Sequence, residues 1–279
     1  MEQITPELVR RLLPRRSPEG HKGTFGKVYV LGGAVGYTGA PVYAGEAAVR
    51  TGSGLVFVGV PAEVYPIVAS RCEAAMAHPI PSGFQDLLQR LQACDAALIG
   101  PGLGREAETE QTVLSLLEGL AKPAVLDADG INAVSRHIHV LTKRLHPTVV
   151  TPHEEEFRRL GGDLSRGREQ GAAEFVRQHR CTLVLKGPGT IVAAPDGRLW
   201  RNPTGNSGMA KGGSGDVLAG MVLSLIGQGA DPVDASLCAV WLHGRAGDLC
   251  KRDLTEYAMT PGCLIGRLPA VFRELGVED

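Results

Sequence analysis

The sequence predicts an α/β protein with a mostly parallel central sheet and helices on both faces. Short apolar or β-branched runs without polar alternation recur along the chain, which is typical of strands covered on both faces. Longer segments with helical periodicity separate these runs, and strand alternating with helix is the pattern of a parallel sheet. Beyond residue 190 two short strands flank the turn Pro195-Asp-Gly197, which predicts an antiparallel hairpin near residues 190–201.

The first predicted unit is a strand at residues 27–31 that ends in glycines, followed by a helix at 41–50 with proline near its first turn. Further strands are predicted at residues 55–60, 96–99, 124–126, 148–150, 183–185, 190–194 and 199–201. Helices are predicted at residues 84–93, 107–120, 168–179, 216–226, 232–249 and 264–275. Since no linker or repeat divides the chain, we expect a single domain over residues 1–279, with residues 1–20 as an N-terminal helical extension.

The composition is that of an ordinary soluble globular protein, with 279 residues, 43% hydrophobic and 21% charged. A net charge of −1, with acids and bases intermixed, argues against nucleic acid or an acidic membrane as the main partner. The sequence has no signal-peptide pattern and no apolar run near the roughly 18 residues that span a bilayer, which predicts a cytoplasmic protein. The six cysteines form no CxxC pair, so we expect reduced thiols rather than disulfides or a zinc site.

Polar and glycine-rich segments follow five of the predicted strands. These segments are Gly32–Ala40, Gly100–Gly104, Asp127–Asn132, Thr151–Glu154 and Lys186–Thr190. Ligands bind beyond the carboxyl ends of the strands in open α/β sheets, so we expect one shared site at this edge. A glycine after a single strand is usually a plain turn, but five such segments are hard to explain as turns alone. The common nucleotide fingerprints GxGxxG and GxxxxGK[ST] are both absent.

The segment Gly212-Gly-Ser-Gly-Asp216 precedes an apolar helix and adds a sixth element. Free N–H groups and the positive end of the helix dipole predict an anion site there, which a phosphate would fit. Taken alone, Asp216 is either a structural acid, as an N-cap or as a first-turn acid that offsets the helix dipole, or a base that takes a proton from a hydroxyl attacking phosphorus. Ser214 already offers a capping side chain, and a local cap does not explain the upstream Gly205, Asn206 and Gly208.

From about His21 onward the chain resembles the ADP-dependent NAD(P)H-hydrate dehydratases of the ribokinase-like superfamily. The glycines and the acid before the apolar helix resemble the anion hole and catalytic aspartate of that superfamily. The narrower motifs are Lys22–Gly33, Tyr37–Pro41, Arg50–Val56, Gly100–Gly104, Leu126–Asp129, Thr151–His153 with Glu156 and Phe157, Val184–Gly187, Gly205–Ala210 and Gly212–Gly220. In larger relatives this domain is fused to an epimerase domain. Here we expect no fused epimerase domain and a separate epimerase acting on the same metabolite.

The resemblance implies a ribokinase-like fold and a lyase that repairs damaged nicotinamide nucleotide. Its substrates would be the S epimers of hydrated NADH and NADPH (NADHX and NADPHX), whose C6 hydroxyl is a poor leaving group. ADP would phosphorylate this hydroxyl, and phosphate would then leave to restore NADH or NADPH, giving AMP and phosphate. Mg²⁺ would assist the transfer, and the protein is expected to be a homotetramer.

The resemblance also assigns roles to individual residues. The catalytic residues would be Asp216 as base and the N–H groups of Gly212, Gly213 and Gly215. The hydrate would contact Ala40, Gly102 or Gly104, His153 and Asp216. The nucleotide would contact Lys186, Gly187, Pro188, Gly189, Thr190, Asn206 and Gly215. Apart from the resemblance, phosphoryl transfer normally needs a metal, so Asp127 and Asp129 would hold Mg²⁺ through water or, as acids after a strand, would only form the turn. The residues alone leave a structural alternative to each of two ligand contacts. His153 could instead cap the next helix or pack against it, and Lys186 could instead be a solvated lysine at a strand end.

The chain departs from the family pattern at a few positions. Ser207 stands where proline is common, Lys211 where threonine is common, and Glu154 and Glu155 where proline and glycine are usual. Lys211 either adds positive charge near the phosphates or points to solvent.

Two alternative functions remain open at this point. One is a kinase of the same fold that acts on a sugar, vitamin or thiazole alcohol and releases a stable phosphate ester. The other is a nucleotide-binding protein without catalysis. The segments Tyr37–Pro41 and Thr151–His153 favour the dehydratase over the kinase, and Asp216 argues against a non-catalytic protein.

Overall fold

The computed structural model describes residues 1–277. Ten strands form one sheet within this range. They are β1 (Glu2–Gln3), β2 (Lys27–Leu31), β3 (Leu55–Val60), β4 (Met76–Pro79), β5 (Ala96–Ile99), β6 (Ala124–Leu126), β7 (Thr148–Val150), β8 (Thr182–Leu185), β9 (Ile191–Ala193) and β10 (Leu199–Arg201). Their order across the sheet is β1-β10-β9-β8-β7-β6-β5-β2-β3-β4.

Helices connect and cover these strands. They are α1 (Pro6–Leu12), α2 (Gly39–Arg50), α3 (Tyr65–Ala69), α4 (Phe84–Gln92), α5 (Ala107–Gly119), α6 (Asp129–Val134), α7 (His139–Lys143), α8 (Glu154–Arg159), α9 (Arg168–His179), α10 (Ser214–Gly227), α11 (Pro232–Ala258) and α12 (Pro261–Glu274). A short 3₁₀ turn (Ser207–Met209) precedes α10.

The strand directions confirm the predicted α/β class. All pairs from β8 through β7, β6, β5, β2 and β3 to β4 are parallel. Strand β9 is antiparallel to both β8 and β10, so the predicted hairpin near residues 190–201 is confirmed. Parallel neighbours need crossover connections, and these are the helices that cover the sheet.

Side-chain alternation along the strands produces two hydrophobic cores, one on each face of the sheet. In β2, Val28 and Val30 belong to the core under α2 and α10–α12, and Tyr29 and Leu31 to the core under α4–α9. Since successive strand side chains point to opposite faces, a continuous apolar run has to be covered on both sides.

The N-terminal segment differs from the predicted helical extension. Helix α1 covers only residues 6–12, and β1 extends the sheet by pairing in parallel with β10. Ile4 and Val9 are fully buried, and the indole N–H of Trp200 donates to Glu2 Oε2 at 3.1 Å. The first twelve residues are therefore part of the sheet edge and its core rather than an appended helix.

Helix α11 extends beyond the predicted residues 232–249, to Ala258, and contains a break at Thr255 with φ of 65°. Its fully buried middle, around Leu242 and Ala246, packs into the core on the α10 side of the sheet. Within residues 1–277, every helix is too short or too polar to cross a bilayer.

Candidate active site

The five strand ends that the sequence analysis singled out lie side by side. They belong to β2, β5, β6, β7 and β8, which are consecutive neighbours in the sheet and run in parallel. Their carboxyl ends therefore meet at one edge, as predicted. The start of α10 comes to the same edge, because the Lys186 ammonium after β8 lies 3.3 Å from where a Cβ on Gly215 would stand.

The turn into α10 requires glycine at position 213. Gly213 precedes the helix with φ of 95°, and a Cβ there would lie 2.9 Å from the Tyr43 ring and 3.0 Å from Pro261. At Gly212 the corresponding position has no heavy atom within 4 Å. Within residues 1–277, the N–H groups of Gly212, Gly213 and Gly215 donate to no other residue. Free donors at a helix N-terminus with open space beside them favour an anion.

Asp216 lies in the first turn of α10 and is partly exposed. Burial raises the pKa of its carboxyl to about 7; the nearby carboxylates of Asp127, Asp129 and Glu156 add to the shift, and Lys186 opposes it. No side chain forms a capping hydrogen bond at this helix, so the N-cap alternative for Asp216 is wrong. The other structural alternative is confirmed, because Asp216 is an acid in the first turn, where it offsets the helix dipole. A carboxyl poised near neutral pH beside an anion site has the properties of a general base.

Ser214, which the sequence offers as a capping residue, has a different contact. It is the first residue of α10, and its Oγ lies 3.4 Å from His243 Nε2. Burial lowers the pKa of His243 to about 4, so its ring is neutral at pH 7. The pair packs the start of α10 against α11 without adding charge to the site.

Lys186 lies inside a carboxylate cluster and is not a solvated strand-end lysine. Its Nζ is 2.8 Å from Asp127 Oδ1 and 3.8 Å from Glu156 Oε2, and its side chain is 18% exposed. Burial disfavours the charged ammonium, but the Asp127 and Glu156 carboxylates outweigh it and raise the pKa of Lys186. A permanent positive charge therefore stands beside Gly215, where an anion would bind.

Asp127 and Asp129 flank a strained turn between β6 and α6. Ala128 between them has φ of 47° and ψ of −113°, an unusual conformation for a residue with a Cβ. Asp127 is buried and accepts from Thr151 Oγ1 at 2.6 Å as well as from Lys186. Asp129 Oδ2 accepts from the Gly104 N–H at 3.0 Å and thereby connects this turn to the end of β5.

The water-mediated role of the two aspartates toward Mg²⁺ stays a prediction, and their oxygens have the following partners. Both carboxylate oxygens of Asp129 accept hydrogen bonds, Oδ1 from Arg105 and Asn132. Asp127 accepts them through Oδ1 alone within residues 1–277. No group of three or more His, Cys, Asp or Glu side chains that could hold a metal occurs in this range. A hydrated Mg²⁺ that keeps most of its waters suits such a donor set.

His153 forms the N-cap of α8, as one of its two alternatives predicted. Its Nδ1 accepts from the N–H groups of Glu155 and Glu156 at 3.2 and 3.3 Å, and its own N–H donates to Glu156 Oε2 at 2.9 Å. This reciprocal arrangement is a capping box with histidine in place of serine. The His153 side chain is still 48% exposed, so its ring is accessible to a ligand.

The predicted hydrate contacts at the ends of β2 and β5 adjoin each other. A Cβ on Gly102 would lie 3.3 Å from Ala40 Cβ and 2.8 Å from the Tyr37 carbonyl oxygen. Tyr37 is 62% exposed and Val35 67% exposed. An apolar, exposed loop therefore borders this part of the site.

Asn206 and Lys211 stabilise the segment before α10. Asn206 accepts from the Gly208 N–H and donates to Asp248 Oδ1, each at 3.1 Å, so its side chain is engaged within the protein. Lys211 Nζ donates to the carbonyls of Tyr257 and Met259, both at 2.6 Å. Lys211 is exposed, in line with the solvent-facing alternative, but its ammonium binds the end of α11 rather than standing free.

Sequence reasoning missed Thr151, Glu156 and His243 as site residues. Thr151 and Glu156 belong to the motif after β7, which is the signal that the sequence carries, but their burial was not predictable from it. His243 lies inside a long apolar helix, and nothing in the sequence places it near α10.

Two cavities lie away from this edge. One of about 460 Å³ is bounded by α2 and α12, and one of about 390 Å³ lies beside β2, β3, β4 and α4. None of the predicted site residues lines either of them. The candidate site is therefore formed by the strand ends and the start of α10, outside both cavities.

A family model described as NAD(P)H-hydrate dehydratase matches residues 28–269. A bifunctional NAD(P)H-hydrate repair enzyme from Moorella thermoacetica is 41% identical over 99% of the chain, and the chain spans only 54% of that relative. An ADP-dependent (S)-NAD(P)H-hydrate dehydratase from Bacillus subtilis is 35% identical over 96% of the chain and 97% of the relative. A crystal structure of the ADP/ATP-dependent NAD(P)H-hydrate dehydratase from Bacillus subtilis, co-crystallised with ATP/Mg²⁺, has a TM-score of 0.84, 33% identity and 98% coverage of both chains.

The chain spans about half the length of the bifunctional relatives that it matches. Its fold is ribokinase-like, as predicted, and matching solved structures include one described as a ribokinase-like superfamily protein. The family model begins within β2 and ends within α12, so it includes every residue of the candidate site. The chain therefore belongs to the NAD(P)H-hydrate dehydratase family.

Proposed function

We propose that the protein dehydrates the S epimers of hydrated NADH and NADPH at the expense of ADP. The observation that carries this proposal is the placement of Asp216, whose carboxyl has a pKa raised to about 7 by burial. It stands in the first turn of a helix whose leading N–H groups are free, with the Lys186 ammonium beside Gly215. This combination suits transfer of a phosphoryl group to a hydroxyl.

The proposed first step is phosphoryl transfer to the C6 hydroxyl of the hydrate. The Asp216 carboxylate accepts the hydroxyl proton while the oxygen attacks the terminal phosphorus of ADP, and the bond from that phosphorus to the leaving AMP oxygen breaks. The N–H groups of Gly212, Gly213 and Gly215 donate to the transferring phosphoryl oxygens, and Lys186 adds positive charge. Fixed donors and charges aimed at developing negative charge are an effective source of catalysis.

The second step is elimination. The C6–O bond breaks with its electron pair on the departing phosphate, and the C5 proton is lost and ends on that phosphate, so that the C5–C6 double bond of the dihydronicotinamide returns. The sum is hydrate plus ADP giving NAD(P)H, AMP, phosphate and one proton, which is the hydroxyl proton that Asp216 accepts in the first step and then releases to solvent. Phosphorylation is needed because phosphate is a far better leaving group than hydroxide.

Several parts of the site have proposed binding roles. Ala40, Gly102 or Gly104 and the exposed face of His153 would contact the hydrate, since they border the same strand edge. The segment Lys186–Thr190, with Gly215, would hold the nucleotide, whereas Asn206 would act by shaping the turn before α10. Asp127 and Asp129 would hold the waters of Mg²⁺. When bound, this ion would neutralise charge on the transferring phosphates.

A direct test is to mix the purified protein with hydrated NADH, Mg²⁺ and either ADP or ATP. We expect the absorbance of the dihydronicotinamide to return in step with release of phosphate. A stable phosphorylated product without recovery of this absorbance would instead indicate a kinase, and no reaction with either nucleotide would contradict the proposal. Side-by-side assays establish the donor preference.

The reaction should depend on pH through Asp216. The carboxyl acts as a base only when ionised, so kcat/KM is expected to be flat above about pH 7 and to fall about tenfold per pH unit below it. This fall in kcat/KM occurs at higher pH than for an ordinary aspartate, because burial raises the pKa of the Asp216 carboxyl. Initial rates measured between about pH 5 and about pH 9 check this. A kcat/KM that stays flat down to about pH 5, as an aspartate with the ordinary pKa of 3.8 would give, would contradict it.

The expected cytoplasmic location, the homotetramer and the separate epimerase stay predictions. Fractionation, light scattering and a coupled assay with an added epimerase would test them in turn.

A further inference from the structure

Arg168, the first residue of α9, binds the segment that follows β8. Its Nη1 donates to the Pro188 carbonyl at 2.7 Å, and its Nη2 donates to the carbonyls of Leu185 and Lys186 at 3.0 and 3.1 Å. The side chain is only 22% exposed. One guanidinium thus fixes three carbonyl groups across the segment that the nucleotide is proposed to contact.

These hydrogen bonds also fix the direction of the N–H groups that belong to the same peptide units as the bound carbonyls. In a planar trans peptide the N–H points away from the C=O, and the chain has no cis peptide bond in its described part. The N–H groups of Gly187 and Gly189 share peptide groups with the Lys186 and Pro188 carbonyls. They therefore point away from Arg168. Within residues 1–277 neither N–H donates to another residue, so both remain available to a ligand.

The segment is built around this side chain. Gly187 has φ of 140°, and a Cβ there would lie 3.0 Å from Arg168 Nη2, so only glycine combines this backbone with the close approach. The Thr190 hydroxyl donates to the Gly187 carbonyl at 3.0 Å and closes the turn.

Arg168 also connects the two halves of the proposed site. Its Nε lies 3.3 Å from Glu154 Oε1, and Glu154 directly follows His153 at the start of α8. The acid at position 154 stands where the family usually has proline, and a proline there could not form this contact.

We propose that Arg168 is a positioning residue for nucleotide binding. It holds the segment Lys186–Thr190 in the shape that turns the Gly187 and Gly189 N–H groups toward the nucleotide, without touching the nucleotide itself. This inference rests on the proposed function, because it assumes that ADP or ATP binds at this segment. It adds a residue outside the strand-end motifs to the machinery that selects the nucleotide.

The test compares Arg168→Met and Arg168→Lys with wild type. ADP binding is measured by calorimetry, and the KM values for nucleotide and hydrate are measured separately. We expect Arg168→Met to weaken ADP binding and raise the nucleotide KM at least about tenfold, because several charge-assisted hydrogen bonds that order the segment are lost. The hydrate KM should stay within about twofold. Lysine should restore binding only in part, since an ammonium cannot reproduce the guanidinium fork.

Arg166→Met is the matched control. Arg166 is an exposed arginine two residues away whose guanidinium pairs with Glu174, and its removal should leave ADP binding within about twofold of wild type. Wild-type nucleotide affinity in Arg168→Met, or an equal rise in both KM values, would overturn the positioning role alone. Wild-type protein that binds neither nucleotide would overturn the proposed function as well. If Arg168→Met does not fold, the test uses Arg168→Lys instead. A rise in its nucleotide KM without a rise in its hydrate KM supports the positioning role, and no rise or an equal rise in both overturns it.

Discussion

Replacement of Asp216 by asparagine is expected to lower kcat by about three orders of magnitude. The amide has nearly the same shape but cannot accept the proton of the C6 hydroxyl. The nucleotide KM should change little, because the N–H groups of Gly212, Gly213 and Gly215 and the Lys186 ammonium remain. The measurement is the recovery of dihydronicotinamide absorbance with hydrated NADH and ADP under saturating conditions. A variant with near wild-type kcat would exclude Asp216 as the base.

The control for this variant is its thermal stability, because a loss of kcat is meaningful only if the variant folds. The pKa of Asp216 predicts the direction in which the melting temperature changes with pH. The folded-state pKa of Asp216 is raised from 3.8 to about 7, so folding favours the protonated acid. The resulting stability is present at low pH and is lost as pH rises through about 7. Above that value the buried charge costs about 2–4 kcal/mol, which asparagine avoids. Asp216→Asn should therefore melt at a higher temperature than wild type at about pH 8, with a smaller gain at about pH 5.

The second large effect is expected in stability, on replacement of Lys186 by methionine. Asp127 and Glu156 are 3% and 8% exposed at their side chains, and Lys186 is the cation that lies between them. Removing one partner of a buried ion pair leaves an uncompensated charge, so the free energy of unfolding should fall by about 3 kcal/mol. Denaturant unfolding at neutral pH measures the loss.

A double variant separates this electrostatic effect from a simple loss of packing. Lys186→Met combined with Asp127→Asn removes one of the stranded charges and should recover part of the lost stability, giving a coupling energy of about 1–3 kcal/mol. The matched control is Lys251→Met, because Lys251 is 54% exposed and pairs with Glu256; we expect a change within about 0.5 kcal/mol. Equal losses for Lys186→Met and Lys251→Met would show that the site does not depend on the buried pair.

The central strands were predictable because they are buried on both faces. Strands β2, β3, β5, β6 and β7 begin and end at the predicted residues, and so do the less buried β10 and the helix α9. A run such as Leu55–Val60 has almost no other way to remove its apolar surface from water. The edge strands β1 and β4 were missed for the opposite reason. Glu2–Gln3 is polar and exposed, and Met76–Pro79 mixes exposed with half-buried residues and ends in proline.

The kinds of chemical group at the site were predictable from the sequence, but the contacts between them were not. Glycines before the apolar α10 predicted a free helix N-terminus, and the strand-end segments predicted a common edge. The partners of the charged residues were not predictable, and Lys211 illustrates this. Its ammonium binds carbonyls at the end of α11, 46 and 48 residues further along the chain.

The sequence by itself determined the sheet, the shared strand edge, the family and the acid at the start of α10. Each of these depends on local patterns: burial of apolar runs, turn chemistry at glycines and the unpaired N–H groups of one helix. The tertiary structure alone decided that Lys186 pairs with Asp127, 59 residues away, that burial brings the pKa of Asp216 close to neutrality, and that Arg168 donates hydrogen bonds to the segment after β8. Such properties depend on distance and dielectric between segments far apart in the chain, which residue order does not encode.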